Sequence, residues 1–376
     1  MSPTTLFSPL RVGAFELPSR IVMAPLTRNR APGNVPNALM KDYYIQRANP
    51  DTGAALIISE GTAISPMAQG YADVPGLYGS DQVEGWKPIT AAVRAQGGRI
   101  FTQLWHVGRV SHSSLLPDGA PPVSATALRA NTRTYVFDAQ GQGSFAPTSE
   151  PRALHRTEIP AIVHDYAAAA RNAVKSAGFD GVEIHAANGY LLEQFMKSST
   201  NQRHDDYGGS IENRTRFTLE VVRAVVDAAG HDRVGIRISP VTPANDIFDD
   251  APQALYEHLV RQLAPLGLAY VHVIEGSTGG PREVEGSPFN YQALKAAYRQ
   301  AGGHGAWMVN NGYDPQMAEQ AVASGYADLV AFGKAFISMP DLAARIRHGG
   351  PYQGLDKATL YGGGAKGYTD YPALPA

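Results

Sequence analysis

Apolar and polar residues follow two different periods along the chain. Three segments place apolar residues at helical spacing, and the last two of them end in glycine, a frequent helix stop: HDYAAAARNAVKSAGF, IENRTRFTLEVVRAVVDAAG and APQALYEHLVRQLAPLG. Eight short runs rich in apolar and β-branched residues predict strands. These runs are Ile21–Ala24, Ala55–Ser59, Arg99–Trp105, Gly181–His185, Val234–Ser239, Tyr270–Ile274, Trp307–Asn310 and Leu329–Phe332.

The order of these elements predicts the fold class. Eight strands that alternate with helices indicate a parallel sheet, and a count of eight favours closure into a (β/α)8 TIM barrel. An open doubly wound sheet is the alternative, but no G-x-G-x-x-G motif follows the first strand. We therefore predict an α/β fold with one barrel domain over residues 1–376. The opening LRVGAFELPSRIV predicts a β-hairpin at the end of the barrel opposite the active site.

One connection is much longer than the others. Residues 107–159 are rich in Pro, Ser and Gly and contain the hairpin-like TYVFDAQGQGSFAP. The connection leaves the C-terminal end of a strand, which is the face where barrel enzymes build their active sites. Long loops within compact domains are usually functional or disordered. We predict that residues 107–159 form a lid or capping insertion.

Composition excludes several classes of protein. The chain has 44% hydrophobic and 18% charged residues, as soluble globular proteins do, and cytoplasm is the default location. A net charge of -2 argues against nucleic acid as a partner, and no apolar run is long enough to span a membrane. The first residues lack the pattern of a cleaved signal peptide. The chain has 0 cysteines, which excludes disulfides and thiol nucleophiles. Nothing in the sequence specifies an oligomeric state.

Polar residues occupy the ends of several predicted strands. In GVEIH, Glu183 and His185 alternate with Val182 and Ile184. Arg237 lies between isoleucines, so its burial requires an anionic or polar partner, for which a salt bridge to Glu183 is one possibility. His185 has no second histidine at ligand spacing, and we predict no metal site. The residues that would meet at one barrel mouth are Gln103, Trp105, His185, Asn188, Tyr190 and Arg237.

The last two strands end in sequences that suit a phosphate. Asn311-Gly312 follows the seventh strand, and Gly333-Lys334 follows the eighth. In TIM barrels these two loops commonly bind a phosphate through backbone N–H groups. Glycine lets the backbone approach the ligand closely, and Lys334 adds a positive charge.

These segments together resemble the old yellow enzyme family of FMN-dependent ene-reductases. RIVMAPLTRNR is similar to the first strand of the family, and GGRIFTQLWHVGR to its third. GFDGVEIHAANGYLLEQFMKSSTNQRHDDYGGSIENR resembles its fourth strand and following loop and is the most specific match. GYADLVAFGKAFISMPDL and YGGGAKGYTDYP resemble its last strand and C-terminal tail.

The resemblance implies roles for the matching positions. FMN, bound tightly but non-covalently, would contact Pro25, Leu26, Thr27, Gly61, Gln103, Arg237, Asn311, Gly312, Gly333 and Lys334. His185 and Asn188 would bind the substrate oxygen, and Tyr190 would donate the proton. Tyr71, Trp105 and Tyr361 would shape the substrate pocket. Family members usually have alanine where this chain has Gly61, and arginine where it has Lys334, whose ammonium lacks the planar fork of arginine.

The implied chemistry is reduction of a C=C bond conjugated to a carbonyl or nitro group, with NADPH as the hydride donor in a ping-pong cycle. Negative charge develops on the substrate oxygen, and two hydrogen-bond donors would stabilise it. Three alternatives remain open. The first is preferential reduction of nitrate esters or nitroaromatics at the same site. The second is a phosphosugar isomerase or aldolase barrel, and the third a non-catalytic flavin carrier.

Overall fold

The computed structural model describes residues 5–375, so residues 1–4 and 376 of the predicted 1–376 domain lie outside the described residues. The strands are β1 (Leu10–Val12), β2 (Phe15–Leu17), β3 (Ile21–Met23), β4 (Leu56–Ala63), β5 (Ile100–Trp105), β6 (Val123–Ser124), β7 (Arg133–Phe137), β8 (Gly143–Pro147), β9 (Arg152–Ala153), β10 (Gly181–Ala186), β11 (Val234–Ile238), β12 (Tyr270–Ile274), β13 (Ala306–Asn310) and β14 (Leu329–Phe332). The α-helices are α1 (Ala38–Ala48), α2 (Ser80–Ala95), α3 (Ile159–Arg171), α4 (Leu191–Met196), α5 (Ile211–Ala229), α6 (Pro252–Leu263), α7 (Tyr291–Gln300), α8 (Pro315–Ala323), α9 (Lys334–Ser338) and α10 (Leu342–His348).

Eight strands form a closed barrel in the order β3-β4-β5-β10-β11-β12-β13-β14, and β14 pairs with β3. Neighbouring strands are parallel throughout the barrel. Helices follow the strands, and one large core of buried apolar side chains joins the two layers. The predicted (β/α)8 barrel is therefore confirmed.

The fourth strand in chain order ends later than its sequence pattern indicates. The predicted strand ends at Ser59, whereas β4 continues through Glu60 and Gly61 to Ala63. Its pairing with β5 shifts in register between Ile58 and Gly61. The buried Glu60 is tolerated because its backbone N–H donates to the hydroxyl of Tyr44, which in turn donates to the Glu60 carboxylate. Gly61 consequently lies within a strand rather than after one.

The three predicted helical segments are helical in the structure. α3 continues as a π-helical turn over Asn172–Ala177 and ends at Gly178, whose φ is 81°. α5 begins after Ser210, whose hydroxyl accepts a hydrogen bond from the backbone N–H of Asn213 at 3.3 Å. α6 is followed by a short 3-10 turn that ends at Gly267, with a φ of 68°. Left-handed glycine thus ends two of the three segments.

The predicted N-terminal hairpin closes one end of the barrel. β1 and β2 pair antiparallel, and Val12 and Leu17 pack with the interior-facing Val22, Phe101 and Tyr270. In the hairpin turn, the backbone N–H of Ala14 also donates to the carbonyl of Asp232, which shortly precedes β11. Since these contacts lie at the N-terminal ends of the strands, the opposite end remains for a site.

Residues 107–159 contain the predicted hairpin, which β7 and β8 form as an antiparallel pair. Arg109 donates to the carbonyl of Asp246 at 2.5 Å, and Thr132 donates to Asn245 at 3.0 Å. The carbonyl of Tyr135 accepts from the backbone of Ala72 at 2.8 Å. These bonds tie the insertion to the loops that follow β4 and β11.

The C-terminal segment is held by two buried arginines that follow β3. Arg28 donates to the carbonyls of Gly367 at 2.7 Å and Leu360 at 2.9 Å. Arg30 donates to the carbonyls of Thr359 at 2.9 Å and Gly364 at 3.0 Å. Because both guanidinium groups bind backbone oxygens, the tail (residues 357–368) is fixed against the β3 end of the barrel.

Candidate active site

A cavity of about 780 Å³ opens at the C-terminal ends of the barrel strands. Its volume is in the range of small-molecule and cofactor sites, about 300–1,000 Å³. Most of the residues expected at the site line it: Pro25, Leu26, Thr27, Tyr71, Trp105, Asn188, Tyr190, Arg237, Asn311, Gly312, Gly333, Lys334 and Tyr361. Gly61, Gln103 and His185 do not form its surface.

Gln103 and His185 lie just behind the cavity wall. Gln103 pairs in register with Glu183, and His185 pairs with Arg237 on the next strand. The His185 ring centre is 5.0 Å from that of Tyr190 and 6.0 Å from that of Trp105. Both residues therefore belong to the same polar group at the barrel mouth, although they are only 2% and 4% exposed.

A buried carboxylate organises the layer below the cavity. Glu183 accepts from Nε2 of Gln103 at 2.8 Å and lies 2.8 Å from Nδ1 of His272. Burial lowers the pKa of His272, although the nearby Glu183 carboxylate raises it. The sequence showed Glu183 only as a possible partner of Arg237, and His272 was missed because a histidine inside an apolar strand carries no distinct signal.

Arg237 has a different partner from the one considered from the sequence. Its Nη2 donates to Oδ1 of Asn310 at 2.7 Å, and Asn310 in turn donates to the carbonyl of Ala331 at 2.6 Å. No ion pair joins Arg237 to Glu183 anywhere in residues 5–375, so the salt-bridge alternative was wrong. Burial lowers the pKa of Arg237, and the charge of Glu183 opposes that effect from a distance. Asn310 was missed although it directly precedes the predicted Asn311.

Several buried nitrogens around the cavity have no hydrogen-bond partner within the described part of the chain. They include Nε of Arg237, Nδ1 of His185 and Nε1 of Trp105. A buried donor without a partner costs about 1–3 kcal/mol, so such atoms commonly mark a ligand position. An isoalloxazine has a polar pyrimidine edge, and the unpartnered Nε of Arg237 fits such a group.

The β10 end forms a compact turn that exposes polar groups. Asn188 has a φ of 59°, in the left-handed region. Its backbone N–H donates to Oγ of Ser239 at 2.8 Å, and its carbonyl accepts from Nδ2 of Asn245 at 2.8 Å. The loop that follows β11 thus holds the backbone of Asn188 beside the cavity at two points.

Titration behaviour at this turn follows from burial. Burial lowers the pKa of His185 well below its usual range, and the charge of Arg237 adds to the effect. Burial raises the pKa of Tyr190 to about 12, although hydrogen bonding with Tyr71 lowers it. His185 is therefore a neutral imidazole and Tyr190 a protonated phenol at neutral pH.

Aromatic side chains wall the other side of the cavity. Tyr71 stacks on Trp105 with ring centres 5.4 Å apart, and Tyr190 contacts Trp105 edge-on at 4.9 Å. Gly61 lies behind the indole, and a Cβ added there would be 2.4 Å from Cε3 of Trp105. Tyr361 of the tail is 47% exposed and contacts Phe145 of the insertion hairpin, with ring centres 5.8 Å apart.

The residues expected to bind the phosphate lie close together, and the loop that follows β12 contacts them. This loop was not assigned to the site from the sequence. Nζ of Lys334 donates to the carbonyl of Gly279 at 2.9 Å, and the Gly279 N–H donates to Oδ1 of Asn311 at 3.0 Å. Asn311 and Gly312 both have positive φ, at 100° and 68°. The loop after β12 therefore covers the ends of β13 and β14. Its glycine-rich EGSTGG was the available signal.

Other classes of site find no support in the described residues. Residues 5–375 contain no group of three or more His, Asp or Glu side chains arranged to hold a metal ion. No helix in the same range is long and apolar enough to cross a membrane.

The chain matches the sequence model of a known protein family. A sequence model of the NADH:flavin oxidoreductase / NADH oxidase family matches residues 5–353. Together with the barrel and its polar mouth, this match defines a flavin-dependent oxidoreductase. The chain belongs to the old yellow enzyme family, which depends on FMN.

Individual relatives match over nearly the whole chain. The 12-oxophytodienoate reductase 1 of Oryza sativa subsp. japonica is 46% identical, with 98% of this chain and 93% of the relative covered. A chanoclavine-I aldehyde reductase of Penicillium roqueforti is 47% identical, with 98% and 96% covered.

Solved structures agree with the sequence matches. Morphinone reductase in complex with tetrahydroNAD superimposes with a TM-score of 0.91 at 46% identity, covering 98% of each chain. An old yellow enzyme homologue from Zymomonas mobilis has a TM-score of 0.91 at 40% identity, covering 98% of this chain and 100% of that one. These matches argue against the phosphosugar isomerase or aldolase alternative. None of the eight barrel strands, all within the described residues, contains the lysine that a Schiff-base aldolase needs.

Proposed function

We propose that this protein is an ene-reductase that reduces C=C bonds conjugated to a carbonyl or nitro group, with NADPH as reductant and a ping-pong order of binding. The observation that carries the proposal is the β10 turn. It brings the amide of Asn188 and the protonated Tyr190 to the cavity surface, directly in front of a neutral, buried His185.

FMN fits the remaining groups around the cavity. Gln103 and Arg237 would hold the pyrimidine edge, where Arg237 has its unpartnered nitrogen. The phosphate would lie at Asn311, Gly312, Gly333 and Lys334, which line the cavity at the ends of the last two barrel strands. Pro25, Leu26 and Thr27 would line the ring, with Gly61 behind. When bound, FMN supplies the carrier that accepts hydride from the nicotinamide and passes it to the substrate.

The chain's own donors would stabilise charge on the substrate. Addition of hydride to the β-carbon of an enone moves negative charge to the carbonyl oxygen. Neutral His185 and Asn188 can each donate one N–H to that oxygen, and a preorganised donor of this kind is worth about 3–4 kcal/mol. Neither donor has to lose or gain a proton, since burial keeps His185 neutral.

Tyr190 would complete the reaction by protonating the α-carbon. Tyr190 is two residues beyond Asn188 in the chain, and both residues line the same cavity. Its raised pKa keeps the proton in place until a strong base, the enolate-like carbon, is presented.

Two further assignments belong to the same proposal. Residues 107–159 would cap the cavity and exclude water, and Arg133, Tyr135 and Phe145 of this insertion line its rim. The nicotinamide coenzyme would use the same cavity in turn with the substrate. The complex of the similar morphinone reductase with tetrahydroNAD supports a nicotinamide site in this fold.

Half-reactions test the proposal directly. The protein, reconstituted with FMN, is reduced anaerobically with NADPH and then mixed with cyclohexenone, a nitroalkene, a nitrate ester or a nitroaromatic. We expect the enone and the nitroalkene to reoxidise the flavin stoichiometrically with formation of the saturated product. Faster reoxidation by nitrate esters would favour the nitro-group alternative, and a flavin that none of these compounds reoxidises would favour a carrier and overturn the proposal.

A further inference from the structure

The orientation of the Asn188 amide decides whether it can stabilise negative charge. Only the NH2 end can donate a hydrogen bond to a substrate oxygen, while the carbonyl end would repel it. The two ends have almost the same shape, and the terminal torsion of asparagine is broad. A neighbouring group must therefore select the orientation.

Thr278 is that neighbour. Its Oγ1 is 2.6 Å from Oδ1 of Asn188 and 3.2 Å from Oγ1 of Thr242. O–H···O bonds typically span about 2.5–3.0 Å, and N–H···O bonds about 2.7–3.2 Å. The shorter contact thus suits a hydroxyl that donates to the Asn188 carbonyl and is too short for a typical donation from the amide. The contact with Thr242 is the longer and weaker of the two, so the single hydroxyl proton of Thr278 is best used on Asn188.

The hydroxyl of Thr278 is held in place although the residue is exposed. Its backbone N–H donates to Oγ1 of the buried Thr242 at 3.0 Å, and Thr242 donates to the carbonyl of Gly276 at 2.5 Å. The next residue, Gly279, is bound to both Asn311 and Lys334. The loop is therefore anchored on each side of Thr278.

The other polar atoms of Asn188 are already occupied. Its backbone N–H and carbonyl bind Ser239 and Asn245, and Oδ1 binds Thr278. Within residues 5–375, Nδ2 is the one polar atom of Asn188 without a partner. On a residue that lines the cavity, this leaves the amide N–H for a ligand.

We propose that Thr278 is a positioning residue that orients the Asn188 amide, so that Nδ2 faces the substrate oxygen. The proposal deepens the proposed function and rests on Asn188 being a substrate donor. Loss of the hydroxyl leaves the amide free to rotate, and part of the population then presents a carbonyl to the substrate. One neutral hydrogen bond corresponds to a roughly two- to tenfold change in binding or rate.

The test is a double-mutant cycle between Thr278→Val and Asn188→Ala, with Thr278→Ser as the conservative variant. Binding of 4-hydroxybenzaldehyde to the oxidised FMN protein is followed by flavin absorbance, because its phenolate oxygen needs the same donors. Reoxidation of the reduced protein by cyclohexenone is measured in parallel. We expect Thr278→Val to weaken both roughly two- to tenfold, and Thr278→Ser to restore both. In the Asn188→Ala background, Thr278→Val should have no further effect.

Two results would overturn the proposal. One is a Thr278→Val protein that binds and reacts as the wild type does. The other is an equal loss in the presence and absence of the Asn188 side chain, which would mean that Thr278 acts elsewhere. Failure of the proposed function is distinguishable, because it would abolish reoxidation in wild type while the coupling in phenol binding could still be measured.

Discussion

The hydroxyl oxygens of Tyr71 and Tyr190 lie 3.1 Å apart at the edge of the cavity. Burial raises the pKa of Tyr190 to about 12, and the hydrogen bond with Tyr71 lowers it, as expected if Tyr71 donates to the oxygen of Tyr190. The proton of Tyr190 is then free to point into the cavity. In the proposed reaction Tyr190 would be the acid, and Tyr71 would be the hydrogen-bond donor that supports it.

Removal of the acid should separate the two half-reactions. We expect Tyr190→Phe to bind FMN and to be reduced by NADPH normally, but to be reoxidised by cyclohexenone roughly 10²–10⁴-fold more slowly. Nitroalkenes should be spared, because a nitronate can leave and be protonated by water. Tyr71→Phe is the matched control, since it removes the supporting hydroxyl and keeps the acid, and its loss should be much smaller. Stopped-flow flavin absorbance measures the rate of each half-reaction for the wild type and both variants. Wild-type turnover of enones by Tyr190→Phe would assign the proton to another group.

The two proposed oxygen donors should each matter in the oxidative half-reaction. His185→Ala or Asn188→Ala should slow reoxidation by an enone roughly 10²–10³-fold, because each removes one preorganised donor. Flavin reduction by NADPH should change less. Stopped-flow comparison of both variants with wild type checks this, and unchanged rates in the oxidative step would exclude the pair as donors.

The pH dependence should reflect the buried groups. Burial raises the pKa of Tyr190 to about 12, so the phenol remains protonated well above neutral pH. Burial lowers the pKa of His185, so the imidazole remains neutral below its ordinary pKa of about 6.5. We expect the rate of enone-dependent reoxidation to be flat between about pH 6 and 9. A pH profile of that single step, measured apart from NADPH binding, would contradict the assignment if it rose or fell tenfold within this range.

Lys334 should strengthen FMN binding without being essential. If one of its free N–H donors meets the phosphate, Lys334→Ala loses a charge-assisted bond of about 1.5–3 kcal/mol, which weakens binding roughly ten- to a hundredfold. Lys334→Arg should bind at least as tightly, because the guanidinium can form a bidentate contact. Lys357 also lines the cavity, so Lys357→Ala controls for general attraction of the anion. Fluorescence titration of the apoproteins gives the dissociation constants. An alanine variant at position 334 with the wild-type constant at low salt would remove Lys334 from the site.

Gly61 should be required by the present position of Trp105. A Cβ at residue 61 would be 2.4 Å from the indole, so Gly61→Ala must displace Trp105 or the strand. We expect a loss of about 1–3 kcal/mol in the free energy of unfolding and an altered preference among substituted enones. In a Trp105→Ala background, where the clash is absent, Gly61→Ala should cost little. Thermal unfolding and product analysis compare the wild type, both single variants and the double variant. Equal effects of Gly61→Ala with and without the Trp105 side chain would show that the indole does not restrict the size of residue 61.

The barrel was predictable from local pattern because buried parallel strands are short apolar runs and their helices have a distinct period. The pattern failed where a polar residue inside a strand is satisfied from far away in sequence. Glu60 interrupts the apolar run of β4, and its carboxylate is bound by Tyr44 and by the backbone N–H of Arg28, both more than ten residues away in the chain.

In the candidate site too, residues close together in the sequence could be predicted, and contacts between distant residues could not. His185, Asn188 and Tyr190 were recognisable because all three lie within six consecutive residues of the sequence. Thr278 lies 90 residues from Asn188, and Gly279 lies 55 residues from Lys334. No local pattern reports such pairs, because the closure of the barrel brings their loops together.

The fixing of residues 357–368 by Arg28 and Arg30 bears on how the cavity is completed during synthesis. Leu360 and Tyr361 belong to the cavity wall, yet they follow all eight barrel strands in the chain. Translation proceeds from the N-terminus, so the barrel strands leave the ribosome before this part of the wall exists. A nascent chain with a closed barrel would thus have a cavity that is open on this side. If FMN occupies this cavity, we expect it to be able to enter at that stage, before the two arginines bind the tail and complete the wall.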